Sequence, residues 1–386
     1  SWPRSSGHDV HSFHMMQALT RLGHEVGLLA AAEPAREAIA GLPLAFERTF
    51  PARGEAPVGP APSFRWLQRK FQSYWGVDEN RVRAVARAAS DMSADGVVVV
   101  GLNVLPYLGA VNGRLRVWYA ADEWAWHHIS QVRLLKRGTW GEAKQALVKG
   151  LYERAYRPML DRVWVVTDAD RRAMRWVAGV RGIDVVPNGV DPEHFAPLDG
   201  VPQRERSCTF WGRLDFGPNV QALEWFCGRV WPKVRAAHPD ATFTVYGFSP
   251  TPEVRALVRG PGLELVTDLP DLRTEVAGHP VVVFPFVSGG GIKNKFLEAA
   301  AMGKPVVCSS VALNGLRDPQ ASGARLARAP NDWVRALGEL WSDPARRAAA
   351  GAAARTWVTG RHSWGAAART AAAGLALASS AKKANS

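Results

Sequence analysis

Three consecutive glycines, two lysines and a glutamate fall between residues 289 and 298, inside VSGGGIKNKFLEAAAMGKPVV (287–307). Glycine lets the backbone turn tightly and approach a ligand closely, and the free N–H groups of a helix start attract phosphate. A helix beginning near Gly291 would put Lys295 at i+4 and Glu298 at i+7 on one face. Gly289, Gly290 and Gly291 would then cradle a diphosphate beside Lys293 and Lys295, with Glu298 accepting hydrogen bonds from ribose hydroxyls. A glycine-rich turn carrying two solvated lysines has the same pattern. A second candidate is FWGRLDFGPN (210–219), where Arg213 emerges at a strand end. Its guanidinium could grip a phosphate through two hydrogen bonds, or pair with Asp215 on the surface.

Elements of defined order must hold such groups in place. Short apolar runs occur at 25–30, 96–101, 116–121, 162–167, 184–187, 208–212, 242–247, 263–266, 281–286 and 305–310, with helical patterns between them. Continuous hydrophobicity suits parallel strands covered on both faces, and strands alternating with helices imply doubly wound α/β sheets. In such sheets ligands bind beyond the carboxyl ends of the strands, where both candidate motifs sit. VVPNGVDPEHFAPL (185–198) cannot continue a strand or a helix and reads as a connector. We therefore expect two Rossmann-like domains facing a cleft, 1–188 and 189–361, with a helix at about 362–380 packing back on the first and a frayed tail at 381–386. Segment 31–63 reads as loop-rich.

The 386 residues are 47% apolar and 22% charged, ordinary globular material for two domains. Three cysteines without metal-ligand spacing argue against a disulfide framework and for a reducing compartment. The longest uncharged run, 96–111, is too short to span a membrane. A net charge of +13 favours anionic partners without choosing among them. The segment 131–162 carries eight Arg or Lys against three acids, interleaved with Leu, Trp and Tyr. It suits docking on anionic lipid, or a solvated helix packed on strand 162–167.

VVPNGVD, FWGRLDFGPNVQALEWFCGRVWPKVRAAHPDATFTVYG and SGGGIKNKFLEAAAMGKPVV together resemble the retaining glycosyltransferases of family 4, which have the GT-B fold. The resemblance runs from SSGHDVHSF to HSWGAAARTAAAGL, and GPNVQALEWF…VWP is similar to a bacterial subgroup of cell-envelope and exopolysaccharide synthesis. It implies that Glu298 binds the donor ribose, that Arg213 binds phosphate, and that Gly7 lies in a glycine loop under the donor phosphate and reacting sugar. The first glutamate of the family's paired motif falls at Gly290, and the lysine that usually follows the arginine falls within FGPN. We expect Lys295, with Lys293, to supply that second positive charge. VWYAADEWAWHH (117–128) matches the strand end where relatives carry a histidine near the sugar, so Asp122 is the first choice for a polar contact and His127 the second. Asp122 serves equally as a helix cap.

Other signals are discounted. DAD (168–170) directly follows a strand, and Asp168 reads as a helix N-cap rather than a metal ligand. HDVH (8–11) and HH (127–128) have no converging carboxylates or cysteines, so no metal site is expected. The resemblance implies transfer of a sugar from a nucleotide diphosphate sugar to a glycan or lipid-linked acceptor, without a metal or cofactor and without nucleic acid. The expected place is the cytoplasm, peripheral to the inner face of the membrane. A sugar-nucleotide epimerase of the same fold, or a non-catalytic basic protein binding membrane or nucleic acid, are the alternatives. The sequence opens on SWPRSSGHDV with no strand before its first glycine. The central first strand of the N-terminal sheet is therefore expected further upstream.

Overall fold

The computed structural model describes residues 7–31, 39–50, 59–121, 140–289 and 291–384. Contacts divide the chain into two units, Ser1–Pro187 with Ala367–Ser386, and Asn188–Ala366.

The first unit begins with α1 (Gly7–Arg21), β1 (Gly27–Ala30) and β2 (Phe46–Thr49), followed by α2 (Trp66–Trp75) and α3 (Glu79–Asp91). Next come β3 (Gly96–Val100), β4 (Leu115–Ala121), α4 (Trp140–Tyr156), β5 (Arg162–Val165), α5 (Asp168–Val177) and β6 (Ile183–Val185). β1 and β2 form a two-stranded sheet; β3-β4-β5-β6 form a parallel sheet in that order. No pairing joins the two sheets among the described residues, and Val98 and Val100 on β3 are exposed. β2 corrects the loop-rich reading of 31–63: its single partly buried residue gives no apolar run to detect.

Two local details differ from expectation. The cap of α5 is Thr167, whose hydroxyl accepts from Asp170 N–H at 3.1 Å, while Asp168 lies inside the helix and pairs with Arg171 at 2.8 Å. Thr167 is extended and one residue nearer the strand, which is the geometry a cap requires. His11 of the HDVH run is buried and stacks on Tyr119 of β4 at 4.2 Å, a packing role.

The second unit is a six-stranded parallel sheet with helices between its strands. In chain order these are β7 (Ser207–Arg213), α6 (Gly217–Trp225), α7 (Trp231–Ala237), β8 (Thr242–Phe248), α8 (Pro252–Leu257) and β9 (Leu263–Thr267). They are followed by α9 (Arg273–Ala277), β10 (Val281–Phe284), α10 (Asn294–Ala301), β11 (Val306–Cys308) and β12 (Arg325–Leu326). α11 (Pro330–Ser342) and α12 (Pro344–Arg361) complete the unit, and α13 (Trp364–Ala384) carries the chain into the first unit from Ala367 onward. Lys382 of α13 donates to the Arg114 carbonyl at 2.7 Å there.

The strand order is β12-β11-β10-β7-β8-β9. From β7 the chain builds outward through β8 and β9, then returns to the other side of β7 to lay down β10, β11 and β12. The direction of winding therefore reverses between β7 and β10, which is where such sheets open a crevice at their carboxyl edge. All four residues of β10 are fully buried, as are Cys208, Thr209 and Phe210 of β7. The three cysteines are free and buried, and burial pushes the Cys227 and Cys308 thiols up to about 12.

Candidate functional site

The carboxyl end of β7, the start of α6 and the first two turns of α10 bring together Trp211, Gly212, Asn219, Lys295 and Glu298. The helix starts at Asn294, three residues later than Gly291, because Gly289 and Gly291 hold positive φ of 100° and 69°. These angles are open to glycine and strained for other residues, so the loop turns before the helix can begin. Lys293 staples it: its ammonium donates to the Gly289 carbonyl at 2.9 Å and to the Gly291 carbonyl at 3.0 Å. Lys295 and Glu298, three positions apart, fall in the first two turns and still share one face.

Lys295 packs among these groups. Its Nζ donates to Asn219 Oδ1 at 2.9 Å, and it lies 4.6 Å from the Phe210 ring centre and 5.4 Å from that of Phe286. Asn219, itself buried, donates to the Arg213 carbonyl at 2.7 Å. Gly212 has φ +152°, and a Cβ there would collide with the Lys295 ammonium and stand 2.9 Å from Asn219 Nδ2. The lysine therefore occupies space that only glycine leaves open. Desolvation pushes its pKa down to about 7, against the pull of Glu298, and nearby Lys293 adds to the fall.

Glu298 receives the Trp211 indole N–H on Oε2 at 3.0 Å. Burial raises its pKa, while the indole hydrogen bond and Lys295 oppose that rise. A carboxylate so held has lone pairs left for a ligand hydroxyl. A lysine whose nearest partner is a neutral amide is ready for an anion.

Arg213 is placed differently. It donates to Asp215 through Nε at 2.7 Å and Nη2 at 3.3 Å, both side chains exposed, and this contact holds the Asp215 carboxyl below its usual range. Solvent screens such a pair, so a stronger anion can displace Asp215. Gly7 is the first residue of α1 in the other unit rather than part of a preceding loop. Asp122, His127 and Gly290 lie outside the described residues. Trp211 and Asn219 belong to the site although neither type nor spacing singled them out. Asn219 stood in plain view as the polar residue after the helix-starting Gly217-Pro218 pair. Among the described residues no group of three or more His, Cys, Asp or Glu is arranged to hold a metal.

Residues 205–343, which contain this whole cluster, match the family model described as glycosyl transferases group 1. This stretch of the chain is similar to the group 1 glycosyltransferases. Over 304 residues it is 29% identical to a D-inositol 3-phosphate glycosyltransferase of Kineococcus radiotolerans, covering 64% of this chain and 66% of that one, just under two thirds of the relative's length. A glycosyltransferase from Rickettsia africae superposes with a TM-score of 0.67 over 97% of this chain and 95% of its own, at 12% identity. Anabaena HepE, solved with UDP-glucose, superposes with a TM-score of 0.62 over 97% of both chains at 14% identity. The fold class is GT-B, with two Rossmann-like domains.

Proposed function

We propose that the protein is a retaining glycosyltransferase, moving a sugar from a nucleotide diphosphate sugar to a glycan or lipid-linked acceptor in cell-envelope or exopolysaccharide synthesis. One observation carries this reading. Lys295 and Glu298 stand side by side on the first turns of α10, at the point where the winding of a group 1 sheet reverses. Lys295 and the N–H groups of the helix start take the diphosphate, and Glu298 takes the ribose hydroxyls.

As the bond to the sugar breaks, negative charge grows on the leaving diphosphate. A fixed cation in a site of low polarity stabilises that charge without reorganising, and Arg213 adds a second once it leaves Asp215. This supply of positive charge is the reason we propose that no divalent metal is needed. Asp122 and His127 are proposed to contact the sugar or the acceptor hydroxyl. Because HepE was solved with UDP-glucose, UDP-sugars are the first donors to try. We place the enzyme at the cytoplasmic face of the membrane, where a lipid-linked acceptor would be met.

A thermal-shift screen across UDP-, GDP-, ADP- and dTDP-sugars tests the reading. One base class should raise the melting temperature of the wild type and fail to raise that of Glu298→Ala. Stabilisation by none of them overturns the proposal. Conversion of the donor into an epimer without any acceptor would replace it with an epimerase.

A further inference from the structure

α4 and α5 each carry the chain from one strand of the β3-β4-β5-β6 order to the next in the same direction. Right-handed crossovers place both helices on one face of that sheet. Their carboxyl ends meet: Arg154 donates through Nε to the Val177 carbonyl, and Arg157 through Nη1 to the Gly179 carbonyl at 3.4 Å. Between them lies a cavity of about 580 Å³ lined by Arg157, Arg175, Gly179, Val180 and Arg181.

The nearby carboxylates are engaged elsewhere: Asp161 with Arg116 and Lys382, Asp184 with Arg162, and Asp168 with Arg171. Among the described residues no carboxylate pairs with Arg154, Arg157, Arg175 or Arg181. Backbone carbonyls at a helix end account for Arg154 and Arg157. They do not account for Arg175 and Arg181, which face the same cavity.

Large apolar groups stand beside this charge. Trp176 is 82% exposed, next to Arg175 and four positions from the exposed Arg172. On α4, Leu147 and Leu151 are 64% and 44% exposed and share a face with Lys144 and Arg154 at helical spacing. The opposite face of α4 buries Tyr152 and Tyr156 in the core. Each helix thus has an outer face of cations mixed with large hydrophobic side chains. A nucleic-acid backbone would use the arginines but has no place for two leucines. An anionic bilayer uses both, since arginines take lipid phosphates while Trp and Leu enter the boundary with the acyl chains.

We propose that this face of α4 and α5 is a docking surface for a membrane of anionic phospholipid. The inference deepens the peripheral placement proposed above and stands on this surface alone, so its failure would leave the donor site untouched.

Flotation of the 386-residue chain with phosphatidylcholine vesicles, with and without phosphatidylglycerol, tests it. The wild type should bind the anionic vesicles, not the zwitterionic ones, and should release as salt is raised. The triple variant Arg157→Gln, Arg175→Gln, Arg181→Gln should bind about 100-fold more weakly, and Trp176→Ser should also weaken binding. Nucleotide-sugar stabilisation of both variants should match the wild type. The proposal is overturned if the wild type ignores anionic vesicles, if charge on the lipid makes no difference, or if the triple variant binds them as the wild type does. Tighter binding of duplex DNA than of vesicles, lost in the same triple variant, would also overturn it in favour of nucleic acid. The wild-type comparisons decide the matter even where a variant folds poorly.

Discussion

The indole N–H of Trp211 reaches Glu298 Oε2 at 3.0 Å, tying β7 to α10 across 87 positions of sequence. The ring packs edge-on to Phe284 at 5.4 Å, so its direction is set by the core beneath it. The carboxylate that we assign to the donor ribose is thereby aimed by a buried side chain of the sheet. Trp211→Phe keeps most of the packing and removes the donor. We expect donor affinity to fall by about 1.5–3 kcal/mol, or roughly 10- to 150-fold, the range for one hydrogen bond to a charged group. Calorimetric titration with the donor from the stability screen checks this, and an unchanged Kd would show that the indole does not orient Glu298.

Glu298→Ala and Arg213→Ala separate binding from folding. The Arg213–Asp215 pair is exposed, whereas loss of Glu298 leaves the buried Trp211 indole N–H without its acceptor. The melting temperature without ligand should stay near the wild type for Arg213→Ala and fall modestly for Glu298→Ala, while donor affinity drops at least tenfold in each. Equal affinity in both variants would remove these residues from the donor site.

Lys295 predicts a pH dependence with a definite sign. Its folded pKa is about 7, below the 10.5 of the unfolded chain, so between those values the unfolded state binds more protons. This group's contribution to stability therefore rises with pH from about 7 to 10.5 and is flat below that window. Donor binding runs the other way, because the diphosphate requires the charged lysine. Affinity should be level below pH 7 and fall by up to about tenfold per pH unit above it. Lys295→Met should bind weakly at every pH and lose this slope. An identical slope in the variant would assign the titration to another group.

Gly212→Ala should harm both donor binding and stability. The added Cβ meets Lys295 and Asn219 at a φ of +152°, and strain at such a position costs about 1–3 kcal/mol of stability. Adding Lys295→Ala to Gly212→Ala relieves the collision, so the two stability losses should sum to more than the loss in the double variant. Chemical denaturation of the two single variants and the double variant measures this directly; simple additivity would mean that the two positions are not in contact.

Most of the architecture could be read from residue types because a parallel strand buried on both faces leaves a continuous apolar run. VVVF at 281–284 and CTF at 208–210 are such runs, and each lies where it was expected. β2 and β12 escaped notice for the converse reason: they are short and largely exposed, so nothing in their composition differs from a loop. Lys295 and Glu298 were legible because helical spacing is a local property. Trp211 was not, because its function depends on a partner 87 residues away that only the sheet brings near. α10 starts three residues beyond Gly291 because a glycine signals where a helix can begin, while the positive φ of Gly289 and Gly291 and the Lys293 staple delay it.

The empty place at Gly212 has a consequence for descent. The position of the lysine ammonium is defined by an atom that residue 212 lacks, so the two sites form one heritable unit. A lineage that acquired a side chain at 212 would have to give up the cation at 295 or move it. The reverse holds as well: once 295 is no longer basic, nothing in this corner keeps 212 a glycine except its backbone angle. Positions 212 and 295 should therefore change together among related chains.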